Sequence, residues 1–450
     1  MVSSSDAAIL ARSAAAGTGR GWEPAAYRRS GGRPAASPPA PRRVVSAAGS
    51  AVVALPPSLR FADFRVLLAS TALGGIGFRG QLVTVGWLVL EESDSPVLVG
   101  IGVSAFLAPN ALVGILGGAV TDRFDRRFVL RLTGLALALN TLLLGVLTLD
   151  DVNIPQVLLL SVLGGGFWSL TQTARQSYAY DVVGAERAVN GLALISLAQR
   201  IGGVGGALLA GGALAAWGPG ETYLLLAAAL LLSALAMFAA RARGAAAPVA
   251  TQPVLQNLRE YAGELKSNTT LAWLALLTAG VEVFGFSHLS ALPVLVRDEL
   301  GGDGGDLGLV SAFSSAGGIV AMVLFASRSG LGRRGVLFLG VVIVYGLAVI
   351  LLGASQTLLM AMLAATAVSA LASLSDVLSQ VLVQLAVPNE MRGRAMGTWA
   401  LAIGTAPAGH LQMGALTSWL GVGAALTLNG AVLIAVAVAA GVLVGRLRRL

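Results

Sequence analysis

Six side chains able to carry charge or protons interrupt long apolar stretches: Arg79, Arg200, Glu282, His288, Asp376 and His410. Glu282 stands between Val281 and Val283, and Asp376 shares its stretch with Ser375, Ser379, Gln380 and Gln384. A charged group at bilayer depth costs about 2.5–3.5 kcal/mol on insertion scales, so such groups persist where they face a protein interior or an aqueous path. Glu282 is therefore the first candidate for taking up a proton. Asp376 is the second, and its polar stripe also suits contact with a solute. Arg79 and Arg200 can bind an anionic group or pair with those carboxylates. The structural alternative is a static ion pair, for instance with Arg200, that only joins helices. His288 and His410 each stand alone in apolar surroundings, where a satisfied hydrogen bond is the simpler role. Arg79, Gln81, Arg200, Gln380 and His410 are the candidates for lining a cavity. Asn140, Gln172, Gln199 and Gln412 can touch a solute or bridge helices, and Trp87, Trp168 and Trp399 can line an apolar pocket.

The elements that must hold these groups are membrane helices. The chain has 450 residues, 56% hydrophobic and 12% charged, with mean hydropathy +0.80. Globular proteins run nearer 45–50% apolar and about 25% charged, and a span needs about 20 mostly apolar residues. Apolar segments recur at roughly 62–90, 96–121, 128–149, 154–178, 187–217, 221–241, 270–296, 306–327, 335–354, 356–386, 395–420 and 422–445. They predict an all-α membrane protein with 12 transmembrane helices in two six-helix halves, at 59–241 and 269–446. Residues 242–268 form a central loop and 447–450 a short basic tail. Residues 1–58, rich in Arg, Ala and Pro, have no long apolar run and read as a disordered tail. A targeting segment and a mis-chosen start are the alternatives.

Placing both termini in the cytoplasm assigns Arg123, Arg126, Arg127, Arg131, Arg175, Arg187 and the later loop arginines to the inner side. Arg297 is then the lone basic residue among the outer connections, which carry Glu91, Asp94, Asp150, Asp151, Glu221, Asp298 and Asp306. That asymmetry is the positive-inside signature. There is no Cys, which removes disulfides and thiol chemistry. Two His are too few for a His-rich metal site, and the only Lys, Lys266, lacks the preceding Gly of a phosphate-binding loop. Net charge is +8, but the arginines are scattered over short loops, so nucleic acid is not an expected partner. No enzyme activity, cofactor or metal is expected.

Between the second and third segments lies Gly118-x-x-x-Asp122-Arg123-x-x-Arg126-Arg127, echoed in the second half by Arg333-Arg334. This pattern resembles the loop signature of the major facilitator superfamily, with Asp125 where Gly is common. Thr173-Ala174-Arg175-Gln176, Leu197-Ala198-Gln199-Arg200-Ile201 and Val387-Pro388-Asn389-Glu390-Met391-Arg392-Gly393-Arg394 are similar to its enterobactin-exporter-like, drug:proton antiporter branch. One departure is Gly202-Gly203-Val204-Gly205-Gly206, which lacks the Pro that antiporters of this kind often carry. The resemblance implies that the first, fifth, seventh, tenth and eleventh helices line a central cavity, while the third, sixth, ninth and twelfth face lipid. It implies that Gly118, Asp122, Arg123, Arg126 and Arg127 form a cytoplasmic gate, with the Asp122 carboxylate at the N-terminal end of the eleventh helix. Such a contact is worth about 0.3–1 kcal/mol at exposed sites and would favour closure of the cytoplasmic side. The function implied is efflux of an amphipathic small molecule, a drug or siderophore, by a monomer in the bacterial inner membrane. Protons and the bilayer are its other partners, and the proton gradient is its energy source. An uncoupled facilitator or importer is the first alternative; a non-transporting membrane sensor or scaffold is the second.

Overall fold

The computed structural model describes residues 56–244, 263, 265–266, 268–326, 333–387 and 391–449, without the side chains of 111–122, 326, 393 and 394. Residues 1–55, much of the central loop and the side chain of Asp122 lie outside the described residues.

All regular structure among the described residues is helical. The first half comprises α1 (Ala62–Ser93), α2 (Pro96–Arg123), α3 (Arg126–Leu147), α4 (Ile154–Val183), α5 (Ala188–Ala216) and α6 (Pro219–Ala236). The second comprises α7 (Thr269–Glu299), α8 (Gly304–Ala326), α9 (Arg334–Gly353), α10 (Leu358–Leu385), α11 (Arg392–Ile403), α12 (Ala406–Leu420) and α13 (Val422–Leu443). Ten helices among the described residues are long and apolar enough to cross a membrane. The expected eleventh segment is broken at Gly404-Thr405 into pieces of 12 and 15 residues. Pro407 explains the break, because it has no N–H to donate to the carbonyl of residue 403.

Helix starts follow from short polar residues. Asn153 accepts a hydrogen bond from the Gln156 amide, Asn268 from Leu271 and Thr357 from Met360. Each satisfies an amide that the helix itself cannot. The pairings repeat between halves: α2 packs on α4 as α8 packs on α10, and α3 packs on α6 as α9 packs on α13. Large apolar side chains cover the outer faces of α3, α9 and α13, with Leu139 66%, Leu351 61% and Val442 69% exposed. A surface this apolar suits lipid rather than water, and the protein is a multi-pass membrane protein.

The halves meet along α5–α8 and α2–α12. Glycine sets the approach. A Cβ at Gly211 would lie 2.5 Å from the Gly308 Cα, and one at Gly414 would lie 3.2 Å from the Gly100 Cα. Ser104 donates to the Pro407 carbonyl at 2.9 Å, and Arg297 donates to the Leu90 carbonyl at 3.0 Å and to Asp94 at 2.9 Å. All of these lie toward the end that carries Asp94, Asp150, Glu221 and Asp298, here called the acidic end. The two glycines of Gly202-x-x-x-Gly206 let α5 lie directly on the Ala72 and Ile76 carbonyls of α1, so this spacing serves packing within one half.

Candidate translocation site

Glu282 sits where α7 departs from α geometry. Residues Val281–Phe286 form a π-helical turn, and Leu295–Glu299 form a second one after Pro293. Such turns are rare inside helices and concentrate at functional sites. Glu282 is 7% exposed and lies within electrostatic reach of Asp376 on α10 and Tyr345 on α9. The Tyr345 ring packs so closely on Gly285 that a Cβ there would be 2.8 Å from its hydroxyl oxygen. That hydroxyl is buried and has no hydrogen-bond partner among the described residues.

Each histidine makes the hydrogen bond that the simpler role called for, and His410 makes it to a residue of another helix. His288 Nδ1 donates to the Gly285 carbonyl at 2.8 Å, while its Nε2 is buried with no partner among the described residues. Ser290 Oγ donates to the Ser287 carbonyl at 2.8 Å and accepts from His410 Nδ1 at 3.3 Å. Asn429 on α13 donates to Ser287 Oγ at 3.1 Å, and Gln412 donates to Asn429 Oδ1 at 2.9 Å. A buried polar network thus stands behind α7, and α9 and α13, expected to contribute only apolar faces, both supply polar groups near it. Asp376 takes a side-chain hydrogen bond from Gln380. The Trp399 indole donates to Ser379 Oγ at 3.0 Å, so this tryptophan joins α11 to α10.

Opposite them are the cations of the first half. Arg200 lies within electrostatic reach of Asp376, without an ion pair within 4.0 Å among the described residues, and any side chain at Gly318 would meet its guanidinium. Arg79 on α1 reaches the Ser311 carbonyl of α8 at 3.5 Å, at the limit of hydrogen bonding. Gln81 points elsewhere: it is 2% exposed, and its carbonyl oxygen lies near Gly164 of α4, beside Asn140. The structure therefore groups Arg79, Arg200, Glu282, Asp376, Gln380, His288 and His410 about the seam, and leaves Gln81 inside the first half.

Arg175 requires a correction. The charge count placed it in a cytoplasmic connection, yet it is 2% exposed within α4. Its guanidinium donates to Gln172, which donates to Gln199 at 2.8 Å, and it lies 5.5 Å from the Trp168 ring, itself stacked on Phe78. The aromatic face and the amide chain stand in for a carboxylate. The signal in the sequence was Gln172 at i−3 on the same helical face.

At the other end, the basic end, the gate motif is partly described. Asp125, the departure from the usual Gly, caps α3: it accepts from the Arg127 amide at 2.9 Å and from the Gly244 amide at 3.2 Å. Arg126 pairs with Asp181 at 2.5 Å, Arg127 donates to the Arg241 carbonyl at 2.8 Å, and Arg131 donates to the carbonyls of Met237 and Ala240 at 3.1 and 3.0 Å. Asp63 accepts from the amides of Arg241 and Ala242 at 3.0 and 2.7 Å. Arg123 is exposed. These bonds gather the ends of α1, α3, α4 and α6.

Residues 53–449 match the family model described as transmembrane secretion effector. The chain is 28% identical to the multidrug efflux pump Tap of Mycolicibacterium fortuitum, over 79% of this chain and 89% of that protein. It is 26% identical to the enterobactin exporter EntS of Citrobacter koseri, over 83% and 89%. Among solved structures it resembles a peptide transporter POT in complex with sulfate, TM-score 0.71 at 13% identity, covering 86% of this chain and 95% of that one. The nucleoside transporter NupG superposes with TM-score 0.65 at 15% identity, over 84% and 98%. These structural likenesses speak for the fold alone. The matching family model, the efflux relatives and the paired helical halves agree with the gate motif, and the chain belongs to the major facilitator superfamily of transporters, in its efflux branch.

Proposed function

We propose that the protein is a proton-coupled secondary transporter that moves an amphipathic small molecule, of drug or siderophore class, out across the bacterial inner membrane by alternating access. The observation that carries this reading is the opposition of charge across the seam. Arg200 of the first half lies within electrostatic reach of Asp376 of the second, which lies within reach of Glu282, while Arg79 lies beside Arg200. Buried charge of both signs at this depth supports a polar path between the halves. Proton entry neutralises Glu282 or Asp376, weakens that attraction and lets the halves rock about the site. The efflux activity carried in the names of Tap and EntS supports the outward direction.

In this reading α11 and α12 together make one span and α2 another, giving twelve, with both termini cytoplasmic. The acidic end then faces outward, and a seam closed there corresponds to a cavity open toward the cytoplasm. Gly118, Asp122, Arg123, Arg126 and Arg127 serve as the inner gate that closes in the opposite state. The working unit is a monomer, and the proton gradient is its energy source.

The test is flux in proteoliposomes under an imposed pH gradient, with Glu282→Gln and Asp376→Asn beside the native chain. Glu282→Gln is expected to lose pH-driven flux while keeping solute exchange at zero gradient; Asp376→Asn is expected to weaken both. Full pH-driven flux in Glu282→Gln sinks the coupling role. A flat response of the native chain to the gradient favours an uncoupled facilitator, and no flux of any solute favours a sensor or scaffold.

A further inference from the structure

Charge is not balanced evenly along the seam. Arg200 has Asp376 within electrostatic reach. Among the described residues Arg79 has only other cationic or neutral groups within such reach: Arg200, and His288, whose Nδ1–H already serves the Gly285 carbonyl. Among the described residues its one hydrogen bond is the 3.5 Å approach to Ser311, and its Nε is buried with no partner there. The guanidinium lines a small cavity whose other walls are almost wholly apolar, among them Leu82, Val103, Leu289, Leu292 and Leu307. On the α8 side, Ser311 and Ser315 lie near the same guanidinium stem, the latter beside Gly203 where Arg79 passes α5. A Cβ at Gly203 would stand 3.7 Å from the Arg79 Cβ, in ordinary contact, so Arg79 runs along the seam against α5.

A guanidinium is always charged and offers five N–H donors in a planar fork that matches carboxylate, sulfonate and phosphate oxygens. Burying one without a counter-charge is costly. The leucine-lined cavity, about 20 Å³, has room for little more than a water, so an acceptor bearing negative charge supplies what Arg79 lacks while the body that carries it lies along the seam outside that cavity. Cationic cargo would find no free carboxylate beside Arg79 and would meet repulsion from two arginines. Resting on the transport reading above, we infer that the cargo is an amphipathic anion and that Arg79 is the residue that holds its anionic group. Moving an anion outward also runs with an inside-negative membrane potential, which agrees with efflux.

Fluorescein and rhodamine 123 share a xanthene body and differ in the sign of their charge. Their binding to the full chain in nanodiscs is read by fluorescence anisotropy, and their flux in proteoliposomes is read in parallel. Fluorescein is expected to bind more tightly than rhodamine 123. Arg79→Gln should weaken fluorescein by roughly 10- to 100-fold, the range of a hydrogen bond to a charged group, and should not weaken rhodamine 123, whose repulsion it relieves. Arg79→Lys, which keeps the charge, should retain much of the affinity, and its thermal unfolding checks that the variants fold. Tighter binding of rhodamine 123, binding of neither dye, or fluorescein affinity indifferent to Arg79→Gln overturns the inference. Arg79-dependent fluorescein binding without flux supports the anion site and counts against the transport reading. Gradient-driven rhodamine 123 flux without fluorescein binding does the reverse.

Discussion

The two ends of the bundle are held by different means. At the acidic end the halves touch backbone to backbone, through Gly211 against Gly308 and Gly100 against Gly414, with Arg297 and Ser104 bonding across. At the basic end, every hydrogen bond among the described residues stays within one half, as with Asp63, Asp125, Arg126 and Arg127. One end is closed by shape and the other is finished as two separate pieces. Glycine crossings contribute dispersion and exclude lipid without charge, whereas carboxylate caps and arginine–carbonyl bonds stiffen each half as a body. A transporter that rocks needs both properties: rigid halves, and a seam that can part without stranding ions.

The largest effect should come from filling a crossing. Gly308→Leu drives a side chain into the α5 backbone, and overpacking of this kind costs about 1–3 kcal/mol. We expect lower thermal stability and a wider acidic end, read by spin labels at Glu92→Cys and Glu299→Cys, since the chain has no cysteine of its own. An unchanged label distance would mean that the seam is not set by glycine. Next comes Asp125→Ala at the basic end. Losing the cap should cost about 0.5–2 kcal/mol and leave the acidic-end distance untouched; movement there would show that the ends are not independent. The smallest effect is expected from Arg297→Gln. Its partner Asp94 has an 84% exposed side chain, and exposed ion pairs contribute about 0–1 kcal/mol. A shift toward the wider state of up to about fivefold, damped by salt and restored by the swap Arg297→Asp with Asp94→Arg, would mark the pair as a latch. A shift indifferent to salt would assign the effect to the Leu90 carbonyl bond instead.

Composition made the membrane class legible, and the Asp-Arg-x-x-Arg-Arg stretch made the family legible, because both are properties of residue type and spacing. Glu282 and Asp376 stood out for the same reason. Arg175 did not, since a hydropathy window reports that a residue lies near the end of an apolar run and says nothing about which side of the helix it takes. The histidine network was invisible because it joins Ser287 and Ser290 to His410, Gln412 and Asn429 on other helices. Nothing in the sequence singled out Tyr345, because its contact with Gly285 exists only once α7 and α9 are packed. The α11–α12 break was foreshadowed by Pro407, although hydropathy joined the two pieces.

The π turns of α7 have a further consequence for how that helix is to be read. A π turn closes i to i+5 where the α turn closes i to i+4, so each one adds a residue and advances the side-chain phase by about 100°. A helical wheel drawn through Thr269–Glu299 in a single register is therefore wrong beyond Glu282 and wrong again beyond Pro293. The rod consists of short wheels in series, each out of step with the last. Its first stretch can aim at one set of neighbours and its later stretches at others, and equivalent spacings along it do not mean a shared face.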